Sequence, residues 1–190
     1  MKKLVLAICL VAVIMLLFAS GAVQQVSEVP VQEVKTKLEA FEYQTGTVII
    51  RGYSKISSVS GMGTVDVDCM EFTNVSSAVR DTGIVIEVKP SGKYASPERS
   101  FIDYDEIEPL LSGIDYISKV TIAAIKLEMF EATYKTEGGF SVGVYNTKTG
   151  EIGAVVKSDR AAAYFDTTKL NVFKDIIIQA KKKLDEIKSN

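Results

Sequence analysis

The sequence predicts an α+β fold, in which an antiparallel sheet, curved or barrel-like, packs against two helices. Three observations carry that expectation. Short runs of alternating apolar and polar residues, separated by Gly-, Pro- and Asn-containing turns, occupy most of the chain. Two other runs space their apolar residues by 3 and 4 positions, the period of a helix. Two internal echoes then suggest a duplicated unit of several strands and a helix: Lys37–Glu42 (KLEAFE) with Lys126–Glu131 (KLEMFE), and Phe101-Ile102-Asp103 with Tyr164-Phe165-Asp166.

The first 22 residues have the parts of an export signal in order. Lys2 and Lys3 form a positive start, Leu4 to Phe18 is an unbroken apolar stretch, and Ala19-Ser20-Gly21-Ala22 supplies small side chains for cleavage after Ala22. The apolar stretch is shorter than the roughly 20 residues of a comfortable membrane span. Removal of residues 1–22 is therefore expected, and residues 4–18 would anchor the chain if they were kept. Cys9 lies within the apolar stretch rather than after it, which argues against lipid attachment there. Residues 23–35 have a narrow composition interrupted by Pro30 and read as a tether.

The remainder, 36–190, is the size of one domain, with sub-units at about 36–120 and 121–190. Thr47 to Tyr53, Thr64 to Phe72 and Gly83 to Lys89 read as strands. In the second of these, Val65, Val67 and Cys69 oppose Asp66 and Asp68 across the pleat. Gly61-Met62-Gly63 and Pro90-Ser91-Gly92 supply the turns. Ile107, Leu110, Ile114 and Ile117 predict a helix, opened by an Asp105/Glu108 capping box, with Pro109 close to its start. Leu127–Thr136, Phe140–Tyr145, Glu151–Lys157 and Ala161–Phe165 read as four more strands, with hairpin connections at Gly138-Gly139 and at 146–150. Leu170, Phe173, Ile177, Ala180, Leu184 and Ile187 then predict a long closing helix. Asp166 stands at its start and Lys181, Lys182, Lys183 and Lys188 toward its end, as the helix dipole favours.

Composition narrows the chemistry. The chain has no histidine, which removes the commonest general base and zinc ligand. Of two cysteines only Cys69 lies outside the export signal, so no intrachain disulfide is expected. With Lys2 and Lys3 removed, 20 of the 22 basic residues face 24 acidic ones, a net charge of −4. No phosphate loop, dinucleotide fingerprint or nucleophile elbow is present, and no cofactor is expected.

Two groups of acids are candidate metal or catalytic positions: Asp66 with Asp68, and Asp103, Asp105, Glu106 and Glu108. The first pair reads more simply as a solvated strand face, and the second as helix capping. Tyr53, Tyr134 and Tyr145, with Arg51, Lys55 and Lys135 nearby, are candidate ligand-binding residues on a sheet face. Cross-strand packing is the alternative for the same rings. Asn74-Val75-Ser76 is an N-glycosylation sequon, relevant only in a eukaryotic secretory pathway.

Four strands and a helix, taken twice, resemble the element order of PUR-type and Whirly single-stranded nucleic-acid-binding proteins. The likeness covers element order alone. Single-stranded nucleic-acid binding, which it implies, runs against export and net acidity, so nucleic acid is not the expected partner. The expected function is a non-catalytic exported binding or interaction module, periplasmic or extracellular, acting on a protein or envelope component, with a homodimer as one possible state. The alternatives are an envelope enzyme working through Asp103, Asp105 and Glu106, and a sheet face that binds glycan or single-stranded nucleic acid.

Overall fold

A computed structural model describes residues 34–189. The expected export signal at 1–22, and the expected tether up to residue 33, lie outside the described residues. Eight strands and three helices follow in the order α1 (Lys37–Glu42), β1 (Ile49–Gly61), β2 (Gly63–Asn74), β3 (Arg80–Lys89), β4 (Glu98–Asp103), α2 (Ile107–Ile117), β5 (Glu131–Lys135), β6 (Ser141–Asn146), β7 (Ile152–Ser158), β8 (Ala161–Asp166) and α3 (Thr167–Lys188). The α+β class with antiparallel strands is the one the sequence predicts. The strands divide, however, into two four-stranded sheets in chain order, β1-β2-β3-β4 and β5-β6-β7-β8, packed together rather than closed as a barrel.

Helix α1 occupies a stretch that the sequence reading singled out only as an echo of Lys126–Glu131. Thr36 and Glu39 form a reciprocal capping box, in which the Glu39 amide donates to the Thr36 hydroxyl at 3.0 Å and the Thr36 amide to the Glu39 carboxylate. Leu38 and Phe41, three apart, then fall on one buried face. Lys126–Glu131, its sequence echo, adopts no helix and enters β5 only at Glu131. That echo therefore joins two different conformations.

In the first sheet β1 continues well past Tyr53, to Gly61. A register shift between Lys55 and Ser57 exchanges the faces and hides the alternation from a sequence reading. Gly61-Met62-Gly63 makes the expected tight turn, and Gly63 occupies the left-handed region at φ 107°. Strand β4, which the sequence presented only as a lead-in to a helix, pairs with β3 from Gly83↔Asp103 to Val88↔Glu98.

Val65, Val67 and Cys69 face the main core as predicted. The opposite face, expected to be solvated, is half covered. Leu38 and Phe41 of α1 pack there on Phe72, Val85 and Phe101, with the Phe41 and Phe72 rings stacked at 5.6 Å. Sheet one thus has a core on each side, and this is how α1 earns its place in the fold.

A 3-10 turn, Tyr104–Glu106, precedes α2, and the expected Asp105/Glu108 capping box does not form. Pro109 is the third residue of α2, in the turn whose amides have no helical acceptor, so the missing N–H is not felt. Strand β5 is shorter than the 127–136 reading, because the chain bends through 125–128 and joins a ladder only at Glu131. Helix α3 matches its prediction. Asp166 accepts from the Lys169 amide at 2.8 Å, and Leu170, Phe173, Ile177, Ala180 and Leu184 are buried.

The inner faces of both sheets, α2 and α3 share one hydrophobic core. Cys69 lies within it, its thiol donating to the Ala180 carbonyl at 3.3 Å, and burial pushes that thiol's pKa up to about 11. The sheets also meet through backbone. The Met62 amide donates to the Tyr164 carbonyl at 2.9 Å, and the Tyr164 amide returns a bond to Met62 at 3.0 Å. Among the described residues no helix is long and apolar enough to cross a membrane.

Candidate functional site

Of the acidic candidates near α2, Asp103 and Asp105 line a cleft of about 440 Å³ that also holds Arg80, Asp81, Tyr104 and Lys188, whereas Glu106 and Glu108 lie outside it. Each candidate is tied to a different structural partner. Asp103 is buried, and its two carboxylate oxygens accept from the Lys37 and Leu38 amides at 2.7 and 3.1 Å. It caps a helix, but α1 rather than the helix that follows it. The Lys37 ammonium bonds Asp105 at 2.6 Å and holds that carboxyl below its usual range. Glu106 accepts from the Glu137 amide at 2.6 Å, while burial raises its pKa. Glu108 pairs with Lys181 at 3.2 Å. The cleft has two further carboxyls, Glu71, which pairs with Arg80 at 3.7 Å, and Asp81. Burial holds Asp81 above the normal carboxylate range against the pull of Lys37, and the neighbouring charges of Asp103 and Asp105 add to the rise. Asp103, Asp105, Glu106 and Glu108 are thus each engaged by a different amide or ammonium group, while Asp81 and Asp105, on the same cleft, have their pKa values moved in opposite directions.

Asp66 and Asp68 lie on the half of the first sheet's outer face that α1 leaves open. Asp66 bridges Lys89 at 2.5 Å and Lys55 at 3.6 Å, and Lys89 continues to Glu87 and then Arg99, both contacts at 2.8 Å. Burial alone would raise the Asp66 pKa, but the two lysines bring it below its usual value. One oxygen of Asp68 is buried without a hydrogen-bond partner. Asp66 thus belongs to an ion-pair lattice that does not include Asp68, and among the described residues no three metal-ligating side chains converge.

The three tyrosine candidates do not share a surface. Tyr53 is 78% exposed on β1 of the first sheet, beside Arg51, whose guanidinium lies 5.6 Å from the Phe72 ring centre and 3.4 Å from Glu42. Tyr134 pairs with Val142 and presses on α2, where a Cβ added at Gly113 would meet its ring at 2.4 Å. Tyr145 pairs with Glu131, three residues along β6 from Val142, and so projects from the opposite face.

On that outer face of the second sheet, Tyr145 helps to build a corner. Its ring crosses Gly153, where an added Cβ would lie 2.7 Å from the ring carbon that bears the hydroxyl. Tyr164 stands edge-on to it, with ring centres 6.2 Å apart and planes at 87°. Val155, directly opposite Tyr164 across the β7–β8 ladder, forms a buried apolar floor. Met129 and the Glu131–Lys157 ion pair at 3.3 Å form the rim of a groove of about 460 Å³, and no helical residue borders it. Sequence reading found Tyr145 and missed Tyr164. Their meeting depends on the register Tyr145↔Gly153 and Val155↔Tyr164, which alternation within single strands does not specify. Compared with known proteins, the chain matches no family model, no curated protein and no solved structure.

Proposed function

We propose that this chain is an exported, non-catalytic binding protein whose second sheet takes a neutral glycan at the Tyr145–Tyr164 corner. The carrying observation is the pair of perpendicular tyrosines on an uncovered sheet face. A pyranose ring has a flat C–H face that stacks on one aromatic ring, and an upright second ring limits how it can slide. Glu131 and Lys157 at the rim offer an acceptor and a donor for hydroxyl groups. The same pair speaks against nucleic acid: among the described residues Lys157 is the one cation lining the groove, and it already faces a carboxylate. Export rests on the sequence pattern of residues 1–22. The non-catalytic reading rests on the absence of histidine and on the structural engagement of the acids around Asp103.

Titration of protein recovered from its native host with chitotetraose, cellotetraose and maltotetraose, followed by tyrosine fluorescence, tests the proposal. Saturable binding of at least one is expected. Tyr145→Ala or Tyr164→Ala should weaken it about ten-fold or more, in line with ring stacking worth roughly 1–3 kcal/mol. Binding by none of the three, or binding indifferent to both substitutions, would remove the assignment. The intact mass of the same preparation reports whether residues 1–22 have been cleaved.

A further inference from the structure

The first sheet ends in a strand edge that the rest of the described chain leaves open. Strand β1 is 13 residues long, against 6 for β4, 5 for β5 and 6 for β8, the other three edges. The β8 edge is partly closed by the Met62 bridge. Along residues 49–55 of β1 no strand, loop or side chain among the described residues bonds the outward backbone. Residues 50–53 are exposed in succession, so neither sheet face is covered there. Ile50, on one face, is 57% exposed and Tyr53, on the other, 78%.

Natural sheets guard such edges with proline, a bulge or charge. Residues 49–55 contain no proline, and the bulge comes only after Lys55. The two cations, Arg51 and Lys55, are drawn onto the outer face by Glu42 and Asp66.

We propose that this edge pairs with the β1 edge of a second copy of the chain, antiparallel about a two-fold axis at Gly52, making one continuous eight-stranded sheet. The side chains select that register. Centred on Gly52, it sets Arg51 opposite the partner's Tyr53, an arrangement suited to cation–π contact. It also sets Ile50 opposite the partner's Ser54, and Ile49 opposite the partner's Lys55. Gly52, at the axis, has no side chain to hold the strands apart. Moving the centre to Tyr53 would set Arg51 against the partner's Lys55, and moving it to Arg51 would oppose two guanidinium groups, both disfavoured. The partner is thus fixed by self-complementarity at Gly52, independently of any ligand at the tyrosine corner.

Cross-linking tests the register and sedimentation tests the association. Directly opposed residues of an antiparallel pair bring their Cα atoms to about 4.5–5.5 Å, within reach of a disulfide. Gly52 tolerates a side chain, since an added Cβ meets only the Glu71 carbonyl, at 4.0 Å. The full chain carrying Gly52→Cys should form a covalent dimer under mild oxidation. The Tyr94→Cys control should not, although Tyr94 is 89% exposed. Gly52→Lys sets two like charges at the axis and should sediment as monomer with an unchanged melting temperature, while the unaltered chain shifts toward dimer with concentration.

Equal cross-linking of both cysteine variants would overturn the proposal, as would an unaltered chain that stays monomeric at every concentration or a Gly52→Lys chain that still associates. So would a monomer whose β1 amides become protected only on adding a synthetic peptide of alternating valine and glutamate, because the edge would then serve a different chain.

Discussion

Asp103 shows what a single residue can do that its neighbours in sequence do not reveal. Its position before a run of helical spacing marks it as a cap, and it is one. The amides it satisfies belong to Lys37 and Leu38, at the start of a helix 65 and 66 positions earlier. A carboxylate that close to Ile107 would ordinarily be credited to the helix at Ile107. Asp166, by contrast, caps the helix that follows it, as its sequence position predicts. Replacement of Asp103 by Ala leaves two amide donors at the start of α1 without their acceptor. It should cost about 1–2 kcal/mol of unfolding free energy in denaturant titration. The selective sign is faster hydrogen exchange at the amides of residues 38–42, with α3 unchanged. Equal acceleration throughout the chain would mean that Asp103 does not act through α1.

Among the elements, those with one uninterrupted period were legible and those with a hidden break were not. Helix α3 declares itself through Leu170, Phe173, Ile177, Ala180 and Leu184. Strand β1 does not, because its face exchange after Lys55 turns a long strand into a short one followed by apparent loop. The outer face of the first sheet was half legible. Asp66, Asp68, Glu87 and Lys89 read as polar, but their ion pairs depend on which strands are neighbours. Those pairs have a definite pH signature. The carboxyls of Asp66 and Glu87 lie below their usual 3.8 and 4.5, so their stabilisation is present above those values and is lost as pH falls through the lowered ones. The Lys89 ammonium is raised above its usual 10.5, so its share holds below that value and fades only at higher pH. Lys89→Met should therefore be less stable than the unaltered protein between roughly pH 5 and pH 10, with the gap narrowing in acid. Melting temperatures across pH 2–8 measure this, and a gap that is constant or widens in acid would contradict it.

At the scale of the whole molecule, the order of four strands and a helix occurs twice, yet the two halves do not have separate cores. Val67 and Ile86 of the first half share one cluster with Val142, Ala163 and Phe173 of the second. A boundary near residue 120 is therefore a division of the sequence and not of the packing. Separate expression of 34–120 and 121–189 should yield chains without cooperative unfolding, each left with a face of that cluster in water. The full chain should melt in a single transition reported alike by far-ultraviolet circular dichroism and by tyrosine fluorescence. Two transitions, or a half that folds alone, would show that the shared cluster does not couple them. The tyrosine corner was legible only in part for a related reason. Tyr145 and Tyr164 are 19 positions apart, and only the packing of β6, β7 and β8 makes them neighbours.

The two sheets also differ in how much future change they permit. Sheet one carries apolar packing on both sides, so a new side chain on most of its strands disturbs either the shared cluster or the layer beneath α1. Sheet two is committed on one side only. Glu131, Thr133, Ser141, Lys157 and Ala162 face away from the shared cluster and belong to no apolar core. Substitutions at those five positions should therefore cost little in folding. Evolutionary latitude is thus unevenly distributed along this chain, and most of it lies around Tyr145 and Tyr164.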